Sequence, residues 1–122
     1  MIPLTHCKNK KIFVLGLGLS GESAIRALES GGANVSAWDD NDRVRKNYFE
    51  QGKIITNPKE ISVEDFDVLF LSPGIDIKKS PQKKFIDEFR RKKKTIICDI
   101  QLFVDEISHR KRNDKIIMLT GT

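Results

Sequence analysis

Several things are scarce in this chain of 122 residues, and each scarcity closes a class of function. No apolar run approaches the roughly 20 residues that a membrane-spanning helix needs. The start, Met1-Ile2-Pro3-Leu4-Thr5-His6-Cys7, lacks the long apolar core of a secretory signal. A cytoplasmic protein without a membrane role is therefore expected. The two cysteines, Cys7 and Cys98, match no C-x-x-C spacing, and neither His6 nor His109 has a partner at ligand spacing. That argues against a disulfide or a protein-held metal, and Cys98 reads as a small buried hydrophobe at the end of a strand.

Aromatic residues are few (7%), and none alternates with the cations between Lys78 and Lys94. Base stacking on a nucleic acid is not offered there. That stretch holds nine of the Lys and Arg residues behind the net charge of +5. It reads as a solvated helix face whose C-terminal cations complement the helix dipole.

What is present is a soluble globular balance, 39% hydrophobic and 32% charged. The apolar pattern alternates short β-rich runs with helical periods. Strands are expected at Lys11–Leu15, Asn34–Trp38, Lys53–Thr56, Asp67–Leu71, Lys94–Cys98 and Lys115–Leu119. A first helix from about Ser20 to Ser30 has Ala24, Ile25 and Leu28 on one face and ends at Gly31-Gly32. A second, around Asp42–Gln51, presents Val44, Tyr48 and Phe49. A third takes Ser80 as N-cap and Pro81 as its first residue, burying Phe85, Ile86 and Phe89. A fourth begins near Asp99, with Ile100, Phe103, Val104 and Ile107 on one face. The expected fold is α/β, Rossmann-like and doubly wound: a mainly parallel five-stranded sheet with helices on both faces. No internal repeat or low-complexity linker interrupts it.

In such folds ligands bind beyond the carboxyl ends of the strands. Three clusters lie there. Gly16-Leu17-Gly18-Leu19-Ser20-Gly21 follows the first strand as G-x-G-x-x-G. Gly16 permits the tight turn, Gly18 lets backbone N–H groups approach a phosphate, and Gly21 lets the helix pack near the strand. Ser20 suits a helix cap or a phosphate contact. Asp39-Asp40-Asn41-Asp42 follows the second strand, Asp39 lying 23 residues after Gly16. A carboxylate here can hold a ribose diol or the N3–H of a uracil, while Asp40 or Asn41 can equally cap a helix. A calcium loop fails, since Arg43 and Val44 stand where a ligand and the turn glycine belong. Ser72-Pro73-Gly74-Ile75 turns the chain after the fourth run.

The last residues, Lys115-Ile116-Ile117-Met118-Leu119-Thr120-Gly121-Thr122, read as a strand entering a second phosphate loop. The further glycine, lysine and Ser/Thr of a Walker loop are not in this sequence.

These segments, with Asp99-Ile100-Gln101-Leu102-Phe103, resemble the N-terminal domain of the Mur ligases. The resemblance implies a UDP-substrate-binding domain at 1–113, with 114–122 opening an ATP-binding domain. It implies that Leu19 and Ser20 meet the diphosphate of UDP-N-acetylmuramoyl-L-alanine, that Asp39 and Asp40 meet the uracil, and that Gly74 lines the sugar cleft. Central and C-terminal domains would then supply ATP, Mg2+ and D-glutamate. This chain is expected to bind without catalysing, as a monomer holding no cofactor. Asp40, Asn41 and Gln101 depart from the hydroxyl residue, arginine and glutamate frequent in the family. The competing expectation is a free-standing module that senses NAD or ATP with the same glycine loop.

Overall fold

The computed structural model describes residues 8–97, with Leu19 and Ser20 described through their backbone alone. Within that range the chain forms four strands and three helices: β1 (Lys11–Leu15), α1 (Leu19–Ser30), β2 (Asn34–Trp38), α2 (Asp42–Glu50), β3 (Val68–Leu71), α3 (Lys83–Arg91) and β4 (Thr95–Ile97). Two 3-10 turns, Pro58–Glu60 and Val63–Asp65, precede β3. The strands make one parallel sheet in the order β2-β1-β3-β4.

Alternation along β1 explains why both sheet faces are covered. Ile12 and Val14 join α1 and α2 residues, including Ala24, Ile25, Leu28 and Tyr48, in one core cluster. Phe13 and Leu15 point the other way, into a cluster with Phe66, Phe85, Ile86 and Phe89. There the rings of Phe13 and Phe85 meet edge to face at 5.0 Å, and Phe85 meets Phe89 at 5.2 Å. Burying each such side chain contributes about 1.5–3 kcal/mol. The architecture is thus the expected doubly wound α/β one, with helices on both faces.

Four details differ from expectation. Lys53–Thr56 is not a strand. Only Thr56 reaches the sheet edge, its N–H donating to the Ala37 carbonyl at 2.9 Å, and the Ile54 side chain stays exposed. Pro58 lacks a donor for a ladder and instead opens a 3-10 turn capped by Asn57. The described sheet therefore has four strands. In α2, Val44 and Tyr48 face the core four residues apart, whereas Phe49, turned 100° further round the helix, is exposed.

Helix α3 starts later than Pro81, with Gln82 as its N-cap residue. Ser80 heads a tight turn instead: its hydroxyl accepts from the Gln82 N–H and its carbonyl from the Lys83 N–H. Strands β3 and β4 each begin one residue later than expected. Cys7, His6, Cys98, Gln101, His109, the helix expected from Asp99, the strand Lys115–Leu119, the division at 113–114 and Thr120-Gly121-Thr122 lie outside the described residues.

Candidate functional site

The strand order locates the site. From β1 the chain moves to β2 on one side, and from β3 to β4 on the other. The gap above β1 and β3 is thus the topological switch point, where open α/β sheets take ligands. The glycine loop leaves β1 there, and Ser72-Pro73-Gly74-Ile75 leaves β3 beside it.

Within the G-x-G-x-x-G pattern the glycines divide by what surrounds them. Gly16 has φ of +99°, and a Cβ built on it lies 2.5 Å from the Ser72 Cβ. A Cβ on Gly21 lies 1.8 Å from the Gly16 carbonyl oxygen. Internal packing therefore demands glycine at both positions. Around Gly18 and Gly74 a Cβ would meet nothing within 4 Å. Their bare backbones face open space, which is what close approach of an external group requires.

Helix α1 begins at Leu19, so its first N–H groups point into the same space with the positive end of the helix dipole. The N-cap residue is Gly18, which has no side chain to cap this end. Beside Gly18 runs a groove of about 720 Å³ toward α2, whose polar lining is Glu22, Arg43, Lys46, Asn47 and Glu50. Among the described residues neither Arg43 nor Lys46 has a carboxylate partner. From sequence, Arg43 served only to exclude a calcium loop, and Lys46 was not singled out. Their one signal was a position just after the acidic cluster.

The acidic cluster is more structural than its sequence suggests. Both Asp39 oxygens accept backbone N–H groups, from Leu17 at 2.8 Å and from Asn41 at 2.8 Å. This carboxylate ties the glycine loop to the β2–α2 loop. Asn41 is the cap of α2, accepting from the Arg43 and Val44 N–H groups. Asp40 uses one oxygen, Oδ1, for two donors: Trp38 Nε1 and Gln82 Nε2, each at 2.9 Å. Gln82, 6% exposed, thus links α3 to the β2–α2 loop.

Arg45 completes the loop's frame. Its guanidinium lies 4.3 Å from the Trp38 ring centroid, donates to the Asp39 carbonyl and pairs with Asp42. Neither Trp38 nor Gln82 was singled out from sequence, because their partnership with Asp40 spans 42 residues in the Gln82 case.

Of the sequence-derived candidates, Gly16, Gly18, Gly21, Asp39, Asp40, Ser72, Pro73 and Gly74 converge on one end of the sheet, and the backbone of Leu19 and Ser20 opens α1 there. Among the described residues no three His, Cys, Asp or Glu side chains form a metal-holding group. No described helix is long and apolar enough to cross a membrane.

Comparison with known proteins gives the family. No protein-family model matches the chain. Over 122 residues, covering the whole chain, it is 32% identical to the UDP-N-acetylmuramoylalanine--D-glutamate ligase of Paramagnetospirillum magneticum and 34% identical to that of Brucella abortus. The Rhizobium meliloti ligase of the same name is also 34% identical. The chain spans about a quarter (26%) of each relative's length. A shikimate dehydrogenase structure from Aquifex aeolicus aligns with 53% of this chain and 25% of its own, at 28% identity and a TM-score of 0.45. By its full-length match the chain belongs with the UDP-N-acetylmuramoylalanine--D-glutamate (MurD) ligases, as one quarter of their length and consistent with their N-terminal domain.

Proposed function

We propose that this chain anchors the nucleotide end of UDP-N-acetylmuramoyl-L-alanine for a ligase that adds D-glutamate to it in building peptidoglycan precursors. The observation that carries the reading is the surroundings of Gly18. A bare backbone opens the N-terminus of α1 to a groove whose far wall holds Arg43 and Lys46, which have no carboxylate partner among the described residues, beside Glu50. Two positive side chains facing unpaired amide hydrogens suit a diphosphate. The names of the relatives supply the substrate class.

In this reading Gly18, Leu19 and Ser20 offer backbone N–H groups to the diphosphate, and Arg43 and Lys46 balance its charge. Gly74 leaves room for the sugar. The chain performs no covalent step. The chemistry belongs to other parts of the ligase: the alanyl carboxylate takes a phosphoryl group from ATP, with Mg2+ bound there. The D-glutamate amine then attacks that acyl phosphate, and phosphate leaves as the amide forms. The role of this chain is to hold one end of the substrate so that the other end reaches that chemistry in a fixed position.

A thermal-shift series with UDP-N-acetylmuramoyl-L-alanine, UDP, NAD and ATP tests it. A ligand at 100 times its dissociation constant stabilises by about 2.7 kcal/mol. The uridine compounds are expected to raise the melting temperature. A clear shift with NAD and none with either uridine compound would overturn the reading.

A further inference from the structure

On the sheet face that carries the Phe13 cluster, a groove of about 400 Å³ runs between α3 and the two 3-10 turns. No residue of the glycine loop lines it. We propose that this groove binds the carboxyl end of an acylated apolar amino acid, with Lys59 and Lys84 taking its carboxylate and the Gln82 amide oxygen taking its N–H. The proposal goes beyond the nucleotide reading and does not depend on it.

The floor is apolar and fixed. Val63 and Phe85 belong to the buried cluster around Phe13, and Ile61 packs against that cluster. Pro58 is buried as well. The Asn57 and Ser62 side chains cap the two turns, accepting from the Lys59 and Glu64 N–H groups. The walls are thus set before any ligand arrives, which keeps the ordering cost of binding small. A volume of this size suits a small molecule or the last residues of a peptide.

Gln82 supplies the polar anchor. It is 6% exposed, and its Nε2 donates to the Asp40 Oδ1 at 2.9 Å. Gln82 lines the groove and Asp40 does not. A planar amide that spends its nitrogen on a residue outside the groove turns its oxygen back toward it. Among the described residues no group donates to that Oε1. A buried carbonyl oxygen without a donor favours a ligand that brings an N–H.

Charge selects the ligand's other end. Lys59 stands on the turn side and Lys84 on the helix side, and neither has a carboxylate partner among the described residues. Glu88 also lines the groove, one helical turn from Lys84, but it pairs with Arg91 at 3.0 Å and lies 3.8 Å from Lys92. Two cations beside an apolar floor attract an anion with an apolar body. A carboxylate with an N–H on the adjoining carbon answers both the lysines and Gln82. A phosphate ester would bring the charge and no N–H. The matching end occurs on a free acyl-amino acid and at the C-terminus of a peptide.

The test is an NMR chemical-shift titration of the isotope-labelled full chain. The probes are N-acetyl-leucine, its carboxamide, its ester analogue with oxygen in place of the N–H, and acetyl-Ala-Ala-Leu. N-acetyl-leucine is expected to move the amides of 59–63 and 82–88 and to leave those of 16–21 in place. The carboxamide is expected to bind about tenfold more weakly, the value of one charge-assisted hydrogen bond at a partly exposed site. The ester analogue is expected to lose about fivefold, the value of a neutral hydrogen bond. Lys59→Gln and Lys84→Gln, both at exposed positions, should each weaken the acid and not the carboxamide, with melting unchanged. Tighter binding of the tripeptide than of N-acetyl-leucine supports a peptide terminus as occupant, and weaker binding supports the free acyl-amino acid. Equal affinity for acid and carboxamide overturns the proposal, as do shifts confined to the glycine loop or no shift at all. None of those outcomes touches the nucleotide reading, which the uridine series tests separately.

Discussion

Gly16 and Ser72 are 56 residues apart in sequence, yet a single added methyl on Gly16 would lie 2.5 Å from the Ser72 Cβ. The turn after β1 and the turn after β3 are thus fitted to each other at the switch point of the sheet. The Ser72 N–H also donates to the Leu15 carbonyl at 2.9 Å, and the Gly16 N–H to the Trp38 carbonyl at 2.8 Å. The turns after β1 and β3 and the end of β2 are thus tied together at Leu15 and Gly16.

Gly16→Ala is accordingly expected to destabilise the chain by about 1–3 kcal/mol, through both its positive φ and the contact with Ser72. Adding Ser72→Gly relieves the contact and not the backbone conformation, so part of the loss should return. Urea denaturation of the two variants measures the split. Full recovery in the double variant would show that φ carries no cost here.

The glycines of the loop should separate stability from binding. At Gly21 a methyl meets the Gly16 carbonyl oxygen at 1.8 Å, so Gly21→Ala should cost several kcal/mol or prevent folding. At Gly18, with φ of −70° and open space around it, Ala should change stability by no more than about 0.5 kcal/mol. It should still weaken UDP binding, by placing a methyl where the diphosphate approaches. Gly18→Ala with normal melting and undiminished UDP affinity would remove Gly18 from the site.

Asp39→Ala takes away the acceptor for two backbone N–H groups that join neighbouring loops. Charge-assisted hydrogen bonds of this kind contribute about 1.5–3 kcal/mol each when well shielded, and less in a partly exposed loop. A loss of about 2 kcal/mol in the ligand-free chain is expected, read from thermal melts. An unchanged melting temperature would mean that Asp39 acts on ligand alone.

Stability should depend on pH at both extremes for separate reasons. Hydrogen bonding and charge from Lys92 hold the Glu64 carboxyl below its ordinary range. Its folded pKa is thus below the unfolded one. The contribution is present above the ordinary carboxylate pKa and is lost as pH falls through the lowered one. Burial, with the nearby Glu29 and Glu22 carboxylates, pushes the Tyr48 phenol up to about 12. The folded chain therefore keeps a proton that the unfolded chain releases. That contribution is present below the ordinary value of 10.0 and is lost as pH rises through about 12. Denaturation curves of Glu64→Gln and Tyr48→Phe should lose the acid and alkaline components respectively.

Much of this was legible from residue order. The β1 run, its glycine loop and the i, i+4 pairing of apolar residues on α1 and α3 all declare themselves locally, because strand and helix periods differ. The Asn41 cap was also among the local expectations. Lys53–Thr56 misled because a short apolar run resembles a strand whether or not an edge can receive it, and the proline at 58 ends any ladder. Phe49 misled because hydrophobicity alone does not say which of two adjacent helical positions faces the sheet.

The site divides in the same way. From sequence alone came the place of each cluster after a strand, since a parallel α/β sheet puts every such loop at one end. Only the tertiary structure decided what the side chains do there. Asp39 is committed to backbone amides, Asp40 is turned by a glutamine 42 residues away, and Lys79 leaves a cationic run to line a recess with Asp40. Local sequence determines chain direction and periodicity, which are short-range steric properties. Which lone pair remains free depends on donors that arrive from distant segments, and those meet only when the sheet closes them around β1.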